Sequence, residues 1–152
     1  MESSFKYLKQ QYQFTKESRE VLLEYCTIIS PRNFIDQNTS FGLGGSIRNM
    51  FVHIVNTYQY WIANISLKEK VDYTAYEEIA NLNELIELFN SVDFFMEKFI
   101  GMDTHGNIEY EMNGVTYAVQ PFKLFSHVIT HEFHHKGQIL SISRNLGYVP
   151  VD

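Results

Sequence analysis

At 152 residues the chain is long enough for one domain with a full hydrophobic core, and the expectation is a single domain over 1–152. An apolar content of 45% excludes a disordered chain, yet no uninterrupted run approaches the roughly 20 apolar residues of a membrane span. A formal charge of -6, with basic residues neither abundant nor clustered, argues against nucleic acid as a partner.

The N-terminal stretch MESSFKYLKQQYQF scatters its charges and has no apolar block followed by a small-residue cleavage signal, so no export is expected. The single cysteine, Cys26, cannot staple the fold, which favours a reducing cytoplasm. Lys6 to Ile29 reads as a first helix, with Leu8, Tyr12, Val21, Leu22, Tyr25 and Ile29 on its apolar side. It should stop before Pro31, because the residue ahead of a proline is pushed out of the helical region. A polar loop follows from Asn33 to Gly45, and Ser46 is placed to cap a second helix from Ile47 to about Ile65. Met50, Ile54, Tyr58, Trp61 and Ile65 mark the inner face of that helix, and His53 stands at the edge of the same face.

Ser66 to Ala80 has a weaker pattern and reads as a long connection with one short helical turn, able to cross an end of the molecule or cover an opening. Asn81 with Glu84 has the form of a capping box. Leu82, Leu85, Leu88, Phe89, Val92, Phe95, Met96 and Phe99 follow at helical spacing, and Gly101 ends this third helix. The run from Phe94 to Phe99 is core packing on this reading. Between Asn107 and Val119 the period changes to two: Ile108, Tyr110 and Met112 alternate, Asn113-Gly114 is a two-residue turn signal, and Val115, Tyr117 and Val119 resume. A lone hairpin is marginal in water, so it must lie against the helices or a partner. His105, just before it, reads as a surface turn residue. The last helix runs from Pro121 to Leu146, with Gly147 and Pro150 as stop signals. This order favours an all-α four-helix bundle with long crossover connections and a small β-hairpin before the last helix.

That last helix carries four of the six histidines, at positions 127, 131, 134 and 135. Leu124, Val128 and Ile142 share one face, and His131 and His135 fall on the same stripe. His131-Glu132-Phe133-His134-His135 satisfies the HExxH pattern, which on a helix turns its first and last imidazoles toward one divalent ion. A catalytic centre usually needs a third protein ligand and keeps a position for water or substrate. His53 is the best source of it, although taken alone it is an ordinary core or edge histidine. His127, one turn before His131, competes for the role, but three in a row on one helix seldom converge. His134 should face about 100° away, toward solvent or a neighbouring subunit. Glu132 is either the general base of a metallopeptidase-like site or a plain solvated glutamate. Gln138 is placed to hold a ligand ring or a metal-bound water. Gly137 hints at close packing below the site. Asn56 and Tyr60, near the His53 face, are candidates for lining a pocket or for hydrogen bonds to the ligands.

These residues carry a resemblance. His53-Ile54-Val55-Asn56 with Trp61, the run His127-Val-Ile-Thr-His131-Glu-Phe-His134-His135-Lys-Gly-Gln138-Ile139 and the closing Leu-Gly-Tyr-Val-Pro are similar to the DinB-like (DinB/YfiT) superfamily over almost the whole chain. The resemblance implies a metal-binding four-helix bundle whose ligands match His53, His131 and His135, and it demotes His127 and His134. It also implies nickel or zinc and a homodimer, while imidazole ligands by themselves do not decide between zinc, nickel and iron. Members include bacillithiol, mycothiol and glutathione transferases and a maleylpyruvate isomerase, others are hydrolase-like, and many have no assigned substrate. Lys136 stands where the family often has arginine, so the charge is kept and the two-pronged donor geometry is lost.

The functional expectation is a divalent-metal-dependent enzyme acting on a small-molecule substrate, foremost a low-molecular-weight thiol S-transferase with that thiol as a second cofactor. The alternatives are a hydrolase using a metal-bound water and a non-catalytic metal-binding stress-response protein. A cytoplasmic location and no membrane partner complete it.

Overall fold

The computed structural model describes residues 2–39, 41, 45–102 and 106–150, with side chains from Lys6 onward. His105 lies outside the described residues, as do Gly42 and Gly44 of the loop before Ser46. Among the described residues no helix is long and apolar enough to cross a membrane.

Helix α1 spans Glu2–Cys26. Its buried stripe is Tyr12, Thr15, Arg19, Leu22 and Cys26, spaced three and four apart, with Leu23 and Tyr25 beside it. Val21, expected on the apolar side, is half exposed, because the stripe passes through the charged Arg19 instead. The helix ends at Cys26, three residues before the expected Ile29, and Pro31 opens a second one rather than closing the first. Ser30 Oγ accepts from Asn33 N at 3.2 Å, and Pro31 takes the first position of the short α2, Pro31–Phe34.

Ser46 caps α3, Ile47–Tyr58, by accepting from Asn49 N at 3.0 Å. Beyond Tyr58 the ladder widens: Gln59–Ser66 is a π-helix rather than the α-helix expected to Ile65. Its closing bond, Leu67 N to Ile62 O at 2.9 Å, spans five residues, and Lys68 at φ 57 turns the chain out. The connection that follows contains one 3-10 turn, Tyr76–Glu78, as expected. Two asparagines pin it. Asn64 exchanges two hydrogen bonds with the backbone of Val71 (2.8 and 2.9 Å), and Asn56 does the same with Thr74 (both 3.0 Å). Each amide thus completes a backbone pairing that an extended segment would otherwise leave to water.

Helix α4, Leu82–Ile100, starts where the capping residues predict: Asn81 Oδ1 accepts from Glu84 N at 3.1 Å, and Glu84 Oε2 reaches back to Ala80 N at 2.6 Å. Strands β1, Ile108–Met112, and β2, Val115–Val119, pair antiparallel with Tyr110 opposite Tyr117. Asn113 and Gly114 sit at φ 54 and 75, the positive pair that a two-residue hairpin turn requires. The hairpin lies on the π-helix: Lys68 Nζ donates to Glu109 O at 2.7 Å, and Tyr110 packs on Trp61.

Helix α5 spans Pro121–Asn145. It ends in a Schellman motif around Gly147 (φ 92), with Tyr148 N bonded to Ser143 O and Gly147 N to Arg144 O, both at 3.0 Å. α3 packs against α5 and α4, and α1 against α4 and α5. Phe51, Ile54, Val55, Leu85, Met96, Val128, Ile139 and Ile142 fill the space between them. The protein is mainly helical, with one two-stranded hairpin before the last helix.

Candidate metal centre

α3 and α5 lie in contact, so the edge residue of one helix and the interrupted stripe of the other face a common space. His53 stands on α3, and His131 and His135 stand one turn apart on α5. Their Nε2 atoms converge: 3.2 Å from His131 to His53 and 3.0 Å from His131 to His135. Each residue offers a ring nitrogen, the three nitrogens lie within 4.8 Å of one another, and all three side chains are half-buried. Nitrogens held 2.0–2.1 Å from one tetrahedral zinc-type ion would stand about 3.3 Å apart, so this spacing fits a shared cation.

The protonation states fit too. Burial, reinforced by the neighbouring imidazoles, lowers His131 to about 3. Burial also lowers His53 and His135. All three rings are therefore neutral near neutral pH and present lone pairs. His135 Nδ1 donates to Gln138 Oε1 at 2.6 Å, which leaves Nε2 as the free lone pair, and Gln138 Nε2 donates to His134 at 3.2 Å. Thr57, one turn after His53, bonds the His53 carbonyl and brings its hydroxyl to 3.4 Å from His131 Nε2. His131 Nδ1 is buried with no protein partner among the described residues, so Nε2 carries all of that ring's polar contacts. This group could hold a divalent metal ion.

The other sequence candidates are elsewhere. His127 is exposed and packs edge-on against Trp61, their ring centres 5.7 Å apart. His134 is exposed, as expected. Asn56 secures Thr74 rather than a histidine. Tyr60 packs between Trp61 and Tyr73, and its hydroxyl reaches the Met112 sulfur at 3.9 Å. A Cβ added at Gly137 would meet nothing within 4 Å, so no close backbone approach accounts for that glycine. Lys136 reaches back to α1, donating to Ser18 Oγ at 2.6 Å and Ser18 O at 3.3 Å.

Glu132 is neither solvated nor free. It is 6% exposed, and Arg19 Nε donates to Oε1 at 2.7 Å while Arg19 Nη2 and Tyr58 OH donate to Oε2 at 3.1 and 2.6 Å. Arg19 Nη1 meets Asp93 at 2.7 Å, Tyr12 OH donates to the same Asp93 oxygen at 2.6 Å, and the guanidinium lies 4.4 Å from the Phe89 ring centre. Burial works against the Arg19 charge, but the paired Glu132 carboxylate outweighs it and holds the guanidinium well above its usual range. The network joins α1, α3, α4 and α5 and fixes the rotation of α5 one residue from His131. Sequence reading missed Arg19; its signal was its place midway along the Tyr12, Thr15, Leu22, Cys26 stripe.

A mainly helical chain that turns three neutral imidazoles from two packed helices onto one point has a donor set that could hold a divalent cation. The model of the DinB family matches residues 1–152, and the chain is a member of that family. No curated protein matches it.

Proposed function

We propose that His53, His131 and His135 hold one divalent ion, nickel or zinc with iron admissible, and that the chain is a metal-dependent enzyme acting on a small molecule. The foremost activity is transfer to or from a low-molecular-weight thiol bound as a second cofactor. The observation that carries this reading is the meeting of three neutral Nε2 atoms at 3.0 and 3.2 Å from helices distant in sequence. A bound ion would supply Lewis-acid chemistry, polarising an added oxygen or sulfur ligand. Within the chain, Gln138 would hold His135 in its ligating tautomer, and the Arg19–Glu132 pair would hold α5 in register. Because both Glu132 oxygens are committed, a hydrolytic reading has no general base there, and the alternative of metal binding without catalysis stands second. Membership of the DinB family supports a four-helix bundle with long crossover connections in one domain over 1–152. A cytoplasmic homodimer belongs to the same reading, and exposed Tyr7 and Phe14 on α1 with Phe94 on α4 offer apolar surface for it.

The test is elemental analysis of untagged protein after equilibration with nickel or zinc. One ion per chain is expected, lost in His131→Ala and His135→Ala and sharply weakened in His53→Ala. Full loading of all three variants would remove the triad. Thiol cofactors screened with the loaded protein then separate transfer from binding alone.

A further inference from the structure

One turn before His131 the chain has a concavity that the triad does not use. It is an open cleft of ≈ 330 Å³ between the hairpin, the π-helix and the start of α5, lined chiefly by Trp61, Tyr110, Tyr117, Lys123, Leu124 and His127. Its aromatic walls hold one another in place. Trp61 meets Tyr110 at 5.5 Å and 87° and His127 at 5.7 Å and 81°, and Tyr110 stacks on its cross-strand partner Tyr117 at 5.4 Å and 23°. Rings fixed edge to face present preformed flat surfaces, which lowers the ordering cost of binding a planar group.

The charge of the cleft runs against that of the chain. Net charge is -6, yet among the described residues Lys123 is the only Lys, Arg, Asp or Glu lining the cleft, and none of them forms an ion pair with it. Lys123 also stands in the first turn of the 25-residue α5, which has no acidic side chain there and no side-chain cap from Gln120. The helix therefore adds its positive end to the ammonium. A volume at the lower end of the usual ligand range of roughly 300–1,000 Å³ suits one ring bearing a small anionic group. His127 also connects the cleft to the metal centre, its ring centre 5.9 Å from that of His131.

We propose that this cleft binds small aromatic carboxylates, the ring against Trp61 and the Tyr110–Tyr117 pair and the carboxylate on Lys123, and so anchors one end of the substrate beside the triad. The anchoring role rests on the metal-centre reading; binding in the cleft does not.

Trp61 is the chain's single tryptophan, so its fluorescence reports the cleft directly. Metal-free protein is titrated with 4-nitrobenzoate and with neutral 4-nitrobenzamide, each corrected for absorbance. Saturable quenching by the carboxylate is expected, weaker by about tenfold for the amide, with Lys123→Gln erasing that preference while circular dichroism stays unchanged. His131→Ala should bind the carboxylate as the parent does, so a failed metal centre leaves the cleft result standing. Absence of saturation, equal affinity for the amide, or a preference unchanged in Lys123→Gln would overturn the proposal.

Discussion

Arg19 and Glu132, 113 positions apart, meet as a two-point ion pair, Nε to Oε1 at 2.7 Å and Nη2 to Oε2 at 3.1 Å. Arg19 is 4% exposed and Glu132 6%, so neither charge has water to fall back on. Removing one member strands the other, whereas replacing both with apolar groups leaves no unpaired charge between them, at the cost of the Tyr58 hydroxyl's acceptor and one partner of Asp93. Arg19→Met should therefore destabilise the protein by about 3–5 kcal/mol, and Arg19→Met with Glu132→Met should recover part of that loss, less the roughly 1–3 kcal/mol for the unpaired Tyr58 hydroxyl. Urea unfolding of the parent, the two singles and the double measures it. A single-variant loss under about 1 kcal/mol would show that the pair is not desolvated as its burial implies.

Gln138 faces two histidines at once, accepting from His135 Nδ1 and donating to His134. If its carbonyl sets the His135 tautomer, Gln138→Leu should weaken metal binding by about 10–100-fold, the cost usual for losing such a partner. Gln138→Glu keeps an acceptor in place and should lose far less. Competition against a chromophoric chelator reads both constants. Equal affinities for parent and leucine variant would mean that the amide orients nothing.

How much of this was readable from the sequence follows the range of the forces involved. Ser46, Asn81, Asn113-Gly114 and Gly147 act on backbone groups within a few residues, and each does what its residue type predicts. The metal-site candidates were readable because His131 and His135 interrupt a stripe of fixed period. Arg19 was not, since burying a guanidinium depends on Glu132, Asp93 and Phe89, which arrive from helices far along the chain. The π-helix carries no proline or glycine to announce it. Asn56 was drawn toward His53 by proximity in sequence, while its true partner, Thr74, lies 18 residues on. Arg19 and Tyr58 together turn Glu132 from a candidate base into a structural anchor.

Gly137 offers a correction that can be measured. It lies inside α5, exposed, with open space where a side chain would begin. Glycine in a helix interior costs roughly 0.5–1 kcal/mol relative to alanine through the freedom it retains when unfolded. Gly137→Ala should raise stability by about that amount and leave metal stoichiometry unchanged. A loss of stability in thermal or urea unfolding would restore the idea that something packs closely there.

The buried phenols set the alkaline limit. Tyr12 and Tyr58 donate to Asp93 and Glu132, and burial above all, with the carboxylates adding to it and Arg19 opposing it, raises both above their ordinary value of 10.0. Burial likewise pushes the Cys26 thiol up to about 12. Above pH 10 the unfolded chain sheds phenol protons that the folded chain keeps, so the unfolded state binds fewer protons and stability falls with rising pH. The stabilisation is complete below the unfolded values and is lost as pH climbs past them. In a titration followed at 295 nm, Tyr12 and Tyr58 should ionise only together with the loss of circular dichroism. Tyr58→Phe, which keeps the ring and removes the ionisable group, should show a shallower loss of stability between pH 9 and 12. Reversible ionisation of every tyrosine with the fold intact would mean that these hydroxyls are not sealed in the Arg19 network.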